Sequence, residues 1–64
     1  MNGEPCRVYA LRPNRERGKE IGLGATIGDT VYFRDKGGRY RIVPLRNVWT
    51  EPPGLKTVRE VMET

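Results

Sequence analysis

The chain has 64 residues, enough for one domain that buries only about 60% of the surface its unfolded chain exposes. One cysteine and no histidine exclude an intramolecular disulfide and a zinc site of the finger type, and Cys6 fits a small strand residue better than a reactive thiol. Twelve lysines and arginines against eight acidic residues give a net charge of +4, which favours a polyanionic partner.

Neither a membrane segment nor a signal sequence is evident in the chain. No apolar run reaches the length of about 20 residues that a membrane span needs, and the opening MNGEPC lacks the pattern of a signal peptide. We therefore expect a cytoplasmic protein without membrane contact.

The first predicted element is a strand over residues 6–11, after a flexible lead-in over residues 1–5. Alternation along this strand assigns its small apolar side chains to the core face: Cys6, Val8 and Ala10. The opposite, outer face carries Arg7, Tyr9 and Leu11. Large apolar groups on an outer face indicate that a partner covers them.

A basic loop over residues 12–18 follows, in which three arginines lie close together: Arg12, Arg15 and Arg17. Pro13 and Asn14 are typical of turns, because proline presets the backbone and asparagine bonds to it locally. Residues 19–23 are predicted to form a second strand, and the small residues 24–28 a bend.

The clearest strand covers residues 30–34. Alternation divides it into the inner side chains Val31 and Phe33 and the outer side chains Thr30, Tyr32 and Arg34. The sequence DKGG at 35–38 is typical of a hairpin turn, so it predicts a return strand over residues 39–43.

The last third of the chain is predicted to complete the core. Tyr40 and Ile42 are assigned to it, Pro44 is expected to end the ladder, and more bulk is expected from Leu45, Val48 and Trp49. After the breakers at 50–54, apolar residues at helical spacing predict a short helix over residues 55–63 that docks on the sheet: Leu55, Val58, Val61 and Met62. One mainly β domain over residues 6–64 is therefore expected.

Catalytic chemistry finds little support in the sequence. The glycines in IGLGATIGD have neither the dinucleotide-binding spacing nor the Lys-Ser/Thr pair of a phosphate loop. Without histidine, and with a lone cysteine, no nucleophile–base pair suggests itself. We expect no enzyme activity, no cofactor, no metal and no small-molecule substrate.

A nucleic-acid-binding face is the stronger hypothesis. Lysine and arginine neutralise DNA phosphates with release of counterions, and apolar side chains can wedge between base steps. The predicted outer faces and the arginine loop supply both kinds of group. The alternative is a solvated basic face, with Tyr9 and Tyr32 half-buried at the edge of the core.

Residues 8–36 resemble the C-terminal half of the small archaeal chromatin proteins conserved in crenarchaea, through VYAL-x-P, RERG, IGL and YFR-x-K. The resemblance implies a monomeric SH3-like β-barrel of about five antiparallel strands. Such proteins associate with the chromosome, bind duplex DNA in the minor groove with little sequence specificity, and bend it with an intercalating side chain. The family has a β-hairpin before this stretch, whereas here a comparable segment follows it, so the strand order is expected to be rearranged. The terminal helix is similar to the one that closes the related Sulfolobus chromatin proteins.

The resemblance makes Leu11 the wedge, and Tyr9 stands where the family usually has tryptophan. Combined with the outer faces, it gives one predicted DNA-binding set: Arg7, Tyr9, Leu11, Pro13, Arg15, Arg17, Lys19, Tyr32, Arg34 and Lys36. Phosphate contacts are assigned to four cations of this set: Arg15, Arg17, Arg34 and Lys36.

Two alternatives remain open. The order Arg12-Pro13, IGL, Gly28-Asp29, Gly37-Gly38 and RIVP is similar to the swapped-hairpin family of transition-state regulators and antitoxins. That reading implies a dimer, operator binding and a tail that grips a toxin. The other is a protein-binding SH3-like module without a DNA role, whose signature is an aromatic groove lacking a basic rim.

Overall fold

The structure is a computed structural model that describes residues 3–54. Five strands form one open antiparallel sheet: β1 Glu4–Leu11, β2 Arg17–Ile27, β3 Thr30–Asp35, β4 Tyr40–Pro44 and β5 Val48–Glu51. Within the described residues a 3-10 turn, Leu45–Asn47, is the sole helical element, and none is long and apolar enough to cross a membrane. The mainly β prediction is confirmed, and the helix predicted over residues 55–63 lies outside the described residues.

The strands lie in the order β4-β3-β2-β1-β5, so the first four follow one another as a meander. The fifth strand returns across the sheet and pairs antiparallel with β1. A backbone bond fixes this return, since the amide of Leu45 donates to the carbonyl of Asp29 in the β2–β3 turn at 2.7 Å. Strand β1 is therefore flanked on both sides, and β4 and β5 are the edges.

The second strand differs most from its prediction. It continues to Ile27, so the expected bend at residues 24–28 is wrong, and the chain turns at Gly28 and Asp29 instead. The positive φ of 59° at Gly28 fits the first position of a two-residue hairpin loop. Strand β1 begins at Glu4, which places two residues of the predicted flexible lead-in within the sheet.

The core lies on one face of the sheet, as alternation predicts for β1 and β3. Its buried members are Cys6, Val8, Val31 and Phe33. Partly buried apolar side chains pack against them from the remaining elements: Ile21, Val43, Leu45 and Val48. Burial raises the pKa of the Cys6 thiol, which disfavours the reactive thiolate.

Three residues assigned to the core lie outside it. Tyr40 is 83% exposed and Ile42 is 67% exposed, while Trp49 is also exposed on the edge strand. The β3–β4 turn sets a register in which Val31 faces Val43, so Tyr40 and Ile42 must point to the other face. Trp49 follows the core residue Val48 in an extended strand and so points away from the core.

Glycines at two positions of β2 let Phe33 approach the backbone closely. A Cβ at Gly24 would overlap the carbonyl oxygen of Tyr32 and come within 2.6 Å of the Phe33 Cβ. At Gly22 it would meet the Phe33 ring at 2.5 Å. These glycines therefore allow close contact between β2 and β3 beside the aromatic core residue.

We expect Gly24→Ala to lower the free energy of unfolding by about 1–3 kcal/mol, the usual cost of overpacking. Thermal or urea unfolding followed by circular dichroism measures the change. Gly37→Ala is the matched control, because its Cβ would meet only Asp35 Oδ1 at 3.4 Å. Equal stability of the two variants would contradict the close-approach explanation.

Candidate nucleic-acid interface

The outer face of the sheet, opposite the core, holds most of the aromatic side chains. The sequence has five aromatic residues, all among the described ones, and only Phe33 belongs to the core cluster. The others alternate with core residues along β1, β3, β4 and β5: Tyr9, Tyr32, Tyr40 and Trp49. This face is therefore richer in aromatic groups than the core that stabilises the fold.

Strand pairing arranges the outer side chains in rows across the sheet. One row runs through Glu51, Arg7, Leu23, Arg34 and Tyr40. The next row runs through Ala25, Tyr32 and Ile42. Directly paired side chains on one face lie about 4.5–5.5 Å apart, so aromatic, aliphatic and cationic groups interleave on a continuous surface.

A compact cluster surrounds Tyr9. This side chain is only 9% exposed and pairs across strands with Trp49. The Arg17 guanidinium carbon lies 5.0 Å from the Tyr9 ring centroid, which is a cation–π distance. Glu51 Oε2 accepts from Arg17 Nη1 at 2.8 Å and from Trp49 Nε1 at 2.9 Å. In this position Tyr9 holds the Arg17 guanidinium at the surface and offers little of its own ring.

Three residues, 13–15, form the tight tip of the β1–β2 loop, between Arg12 and Glu16. The amide of Arg15 donates to the Arg12 carbonyl at 2.7 Å, and the Arg12 amide donates to the Glu16 carbonyl at 3.0 Å. These bonds describe a type I turn followed by a residue in the left-handed region. That residue is Arg15, at φ 66°, and it is the only non-glycine residue with a positive φ among those described.

The β3–β4 turn repeats this construction with a glycine. The amide of Gly38 donates to the Asp35 carbonyl at 3.0 Å, the Asp35 amide donates to the Arg39 carbonyl at 2.8 Å, and Gly38 has a φ of 85°. A left-handed conformation costs a side-chain-bearing residue about 1–2 kcal/mol, and glycine avoids that cost. In the β1–β2 loop the chain bears this cost at Arg15.

Asp35 fixes the second turn through its carboxylate. Its Oδ1 atom accepts from the amides of Arg39 and Gly37, both at 2.9 Å, while Oδ2 lies 3.7 Å from Arg41 Nη1. The Arg39 amide bond is the main cause that lowers the pKa of Asp35, with further contributions from the Gly37 amide and the positive charges of Arg41 and Arg39. The ionised carboxylate thus stabilises the turn.

Positive charge concentrates at the end of the β1–β2 hairpin. Over residues 3–54 the ion pairs are Arg17–Glu51, Lys36–Glu20 at 3.8 Å and Arg41–Asp35. Within that range Arg12, Arg15 and Lys19 form none, and all three are exposed. This surface, which we call the hairpin end and define as residues 11–19, therefore presents cations to solvent.

The structure divides the predicted DNA-binding set into groups. The hairpin end holds half of it: Leu11, Pro13, Arg15, Arg17 and Lys19. Leu11 is partly buried and pairs with Arg17. Three others lie on or next to β3: Tyr32 and Arg34 on the outer face and Lys36 in the following turn. Arg7 and Tyr9 lie on β1, between the other groups and the β5 edge.

Sequence reasoning missed several outer-face residues. They are Leu23, Tyr40, Ile42 and Trp49, and all four are exposed. Strict alternation through residues 40–43 and 48–51 carries the signal, since it separates Tyr40 from Val43 and Trp49 from Val48. Apolar character favours assigning Tyr40, Ile42 and Trp49 to the core, whereas the sequence places Leu23 on a strand without indicating its face.

Metal chemistry has no visible basis in the part of the chain that the structure describes. Residues 3–54 contain no group of three or more potential protein ligands placed to hold a metal ion.

No protein-family model, curated protein or solved structure matches the chain. Its function is therefore inferred from the arrangement of its own side chains.

We expect Asp35→Ala to destabilise the protein most at neutral pH. Because the folded pKa of Asp35 is lowered, its stabilisation is present above the ordinary value of 3.8 and is lost as pH falls through the folded pKa. The difference in Tm between parent and variant should therefore shrink below pH 3.8. Asp35→Asn keeps an acceptor oxygen without the charge and should lie between the two. A difference that stays constant with pH would show that the charge is unimportant.

Proposed function

We propose that the protein is an architectural DNA-binding protein that binds duplex DNA with little sequence specificity. The observation that carries the proposal is Arg15, held in a left-handed conformation at the exposed tip of a cationic hairpin. A residue whose backbone conformation lowers the stability of the folded chain indicates that its side chain was selected for another property. An exposed arginine at a hairpin tip suits a phosphate backbone.

Phosphate contacts are assigned to the hairpin end and the adjoining strand. Arg15, Arg17 and Lys19 lie there, with Arg34 on the outer face of β3 and Lys36 in the turn that follows it. Contacts of this kind position a protein on a duplex without reading its sequence. Because they release counterions from the DNA, the binding affinity falls as the salt concentration rises. Tyr9 and Glu51 both contact the Arg17 guanidinium and fix its position.

Leu11 is assigned the role of a minor-groove wedge. It ends β1 next to the arginine loop, and its outer-face neighbour Arg17 supplies a cation beside it. An apolar side chain flanked by cations can enter between base steps while the cations hold the backbone on either side. Leu11 is partly buried and belongs to the hydrogen-bonded strand rather than to the loop.

The finer fold assignment, an SH3-like barrel, belongs to the same proposal. The pairing of β5 with β1 and the bond from Leu45 to Asp29 bring the sheet ends towards one core. Val8, Phe33 and Val48 meet there from three strands that are not all neighbours. Val43 on one edge strand and Val48 on the other pack against the same core, which supports a barrel-like closure and the likeness to crenarchaeal chromatin proteins. A monomer is part of the same proposal.

We expect Leu11→Ala to reduce DNA bending more than DNA affinity. Removing the wedge should abolish most of a kink that reaches about 20–90° in wedge proteins, while the phosphate contacts persist. Energy transfer between dyes at the ends of a short duplex measures the bend. Ile27→Ala, at the far end of β2, is the control and should bend DNA like the parent. Equal bending by Leu11→Ala and the parent would show that Leu11 is not the wedge.

We expect Arg15→Gly to be more stable than the parent and to bind DNA less well. Relief of the left-handed strain should add about 1 kcal/mol to the free energy of unfolding. Loss of one phosphate contact should lower the slope of log affinity against log salt by about 0.9. Arg46→Ala removes one charge from the 3-10 turn and should leave the slope unchanged. The same slope for both variants would exclude Arg15 from DNA contact.

A further inference from the structure

An apolar groove crosses the outer face over β2, β3 and β4. It encloses about 340 Å³, at the lower end of the 300–1,000 Å³ typical of small-ligand sites. Gly24 and the core residue Phe33 border it, and its outer-face apolar lining is Leu23, Ala25, Tyr32, Tyr40 and Ile42. These side chains form the two cross-strand rows described above, so the groove lies on hydrogen-bonded strands with a defined register.

Large apolar side chains that line the groove are exposed to solvent. Leu23 is 56% exposed, and Tyr40 and Ile42 are more exposed still. Polar residues at these positions would leave the core intact, since none of the three belongs to it. A contiguous apolar patch of this kind indicates a binding partner that covers it.

Arg34, on the outer face, provides the charge at the groove. Arg41 also contributes to the lining, but it alternates with Tyr40 and Ile42 along β4 and its guanidinium pairs with Asp35. Among residues 3–54 no acidic side chain lines the groove. The Arg34 guanidinium carbon lies 5.7 Å from the Tyr40 ring centroid, and its Nε donates to the Gly38 carbonyl at 3.2 Å. A planar cation and an aromatic ring are therefore held together at the rim, ready to stack against a flat anionic ligand.

We propose that this groove binds unpaired bases of single-stranded nucleic acid by stacking. Unpaired bases offer flat aromatic faces, and their phosphates complement the Arg34 guanidinium. Bases within a duplex already stack on one another and do not present those faces. The inference goes beyond the proposed duplex binding, with which it shares Tyr32 and Arg34, and it adds Tyr40, Ile42 and Leu23 as binding residues.

The test compares single strands with and without bases. An oligothymidylate of about 12 nucleotides, within the site sizes of about 4–16 known for stacking folds, is titrated by fluorescence anisotropy. An abasic strand with the same number of phosphates and a duplex of equal length are titrated alongside. The proteins are the parent, Tyr40→Ser, and Tyr40→Phe as the variant that keeps the ring. Circular dichroism and sedimentation monitor fold and self-association.

We expect the parent to bind oligothymidylate more tightly than the abasic strand. Tyr40→Ser should weaken oligothymidylate binding roughly 5- to 150-fold, the loss of one stacked base, while Tyr40→Phe should match the parent. Duplex affinity should change much less in Tyr40→Ser than oligothymidylate affinity. If the parent binds oligothymidylate but not the duplex, the proposed duplex function fails while this inference stands.

Several results would overturn the inference. Equal affinity for the abasic strand and oligothymidylate would mean that only phosphates are bound. Parallel losses for duplex and single strand in Tyr40→Ser would place the groove within the duplex interface. Self-association of the parent that Tyr40→Ser abolishes would mean that a second copy of the chain covers the groove.

Discussion

The close approach of Phe33 to the bare backbone of β2 is the contact on which the rest of the sheet depends. Gly22 leaves room for the ring, and Gly24 leaves room for the Phe33 Cβ and the Tyr32 carbonyl, so β2 and β3 can pair there. That pairing fixes which β3 side chains face the core. Once Val31 and Phe33 point inwards, Tyr32 and Arg34 are committed to the outer face, because a strand alternates with a period of two.

A small core leaves this protein with an unusual surface. Its fully or nearly buried apolar cluster has four members, and only one of them is aromatic. The remaining aromatic rings lie on the outer face, where arginines separate or contact them. A short chain has few large apolar side chains, and here several of them are exposed on the outer face. Such an exposed apolar surface indicates binding. The hairpin end and the groove present two different chemistries on the same sheet, one cationic and one aromatic.

Local sequence patterns predicted the structure correctly where a strand buries one of its faces and where a turn has a characteristic sequence. Cys6 and Val8 lie in the core as their alternation predicts, and DKGG forms the β3–β4 turn. The patterns failed where apolar residues occur on both faces of one strand, because either face could then form the core. On β4 both Ile42 and Val43 are apolar, and only the hairpin register, set by backbone bonds in the turn, selects Val43. The candidate site was predictable in its arginines and its first two tyrosines, whereas Tyr40 and Trp49 were assigned to the wrong face.

The amino-acid sequence by itself determined a small basic β domain, its alternating strands, its turn residues and the presence of a cationic loop. These properties depend on residues close together in the chain. The tertiary structure alone decided that β5 pairs with β1, that Tyr9 is covered by Trp49 and Arg17, and that Arg15 occupies the position that Gly38 occupies in the other turn. Each of these depends on hydrogen bonds or contacts that sequence patterns do not specify. The physical reason is that strand pairing joins distant segments, and its register follows from turns and packing acting together.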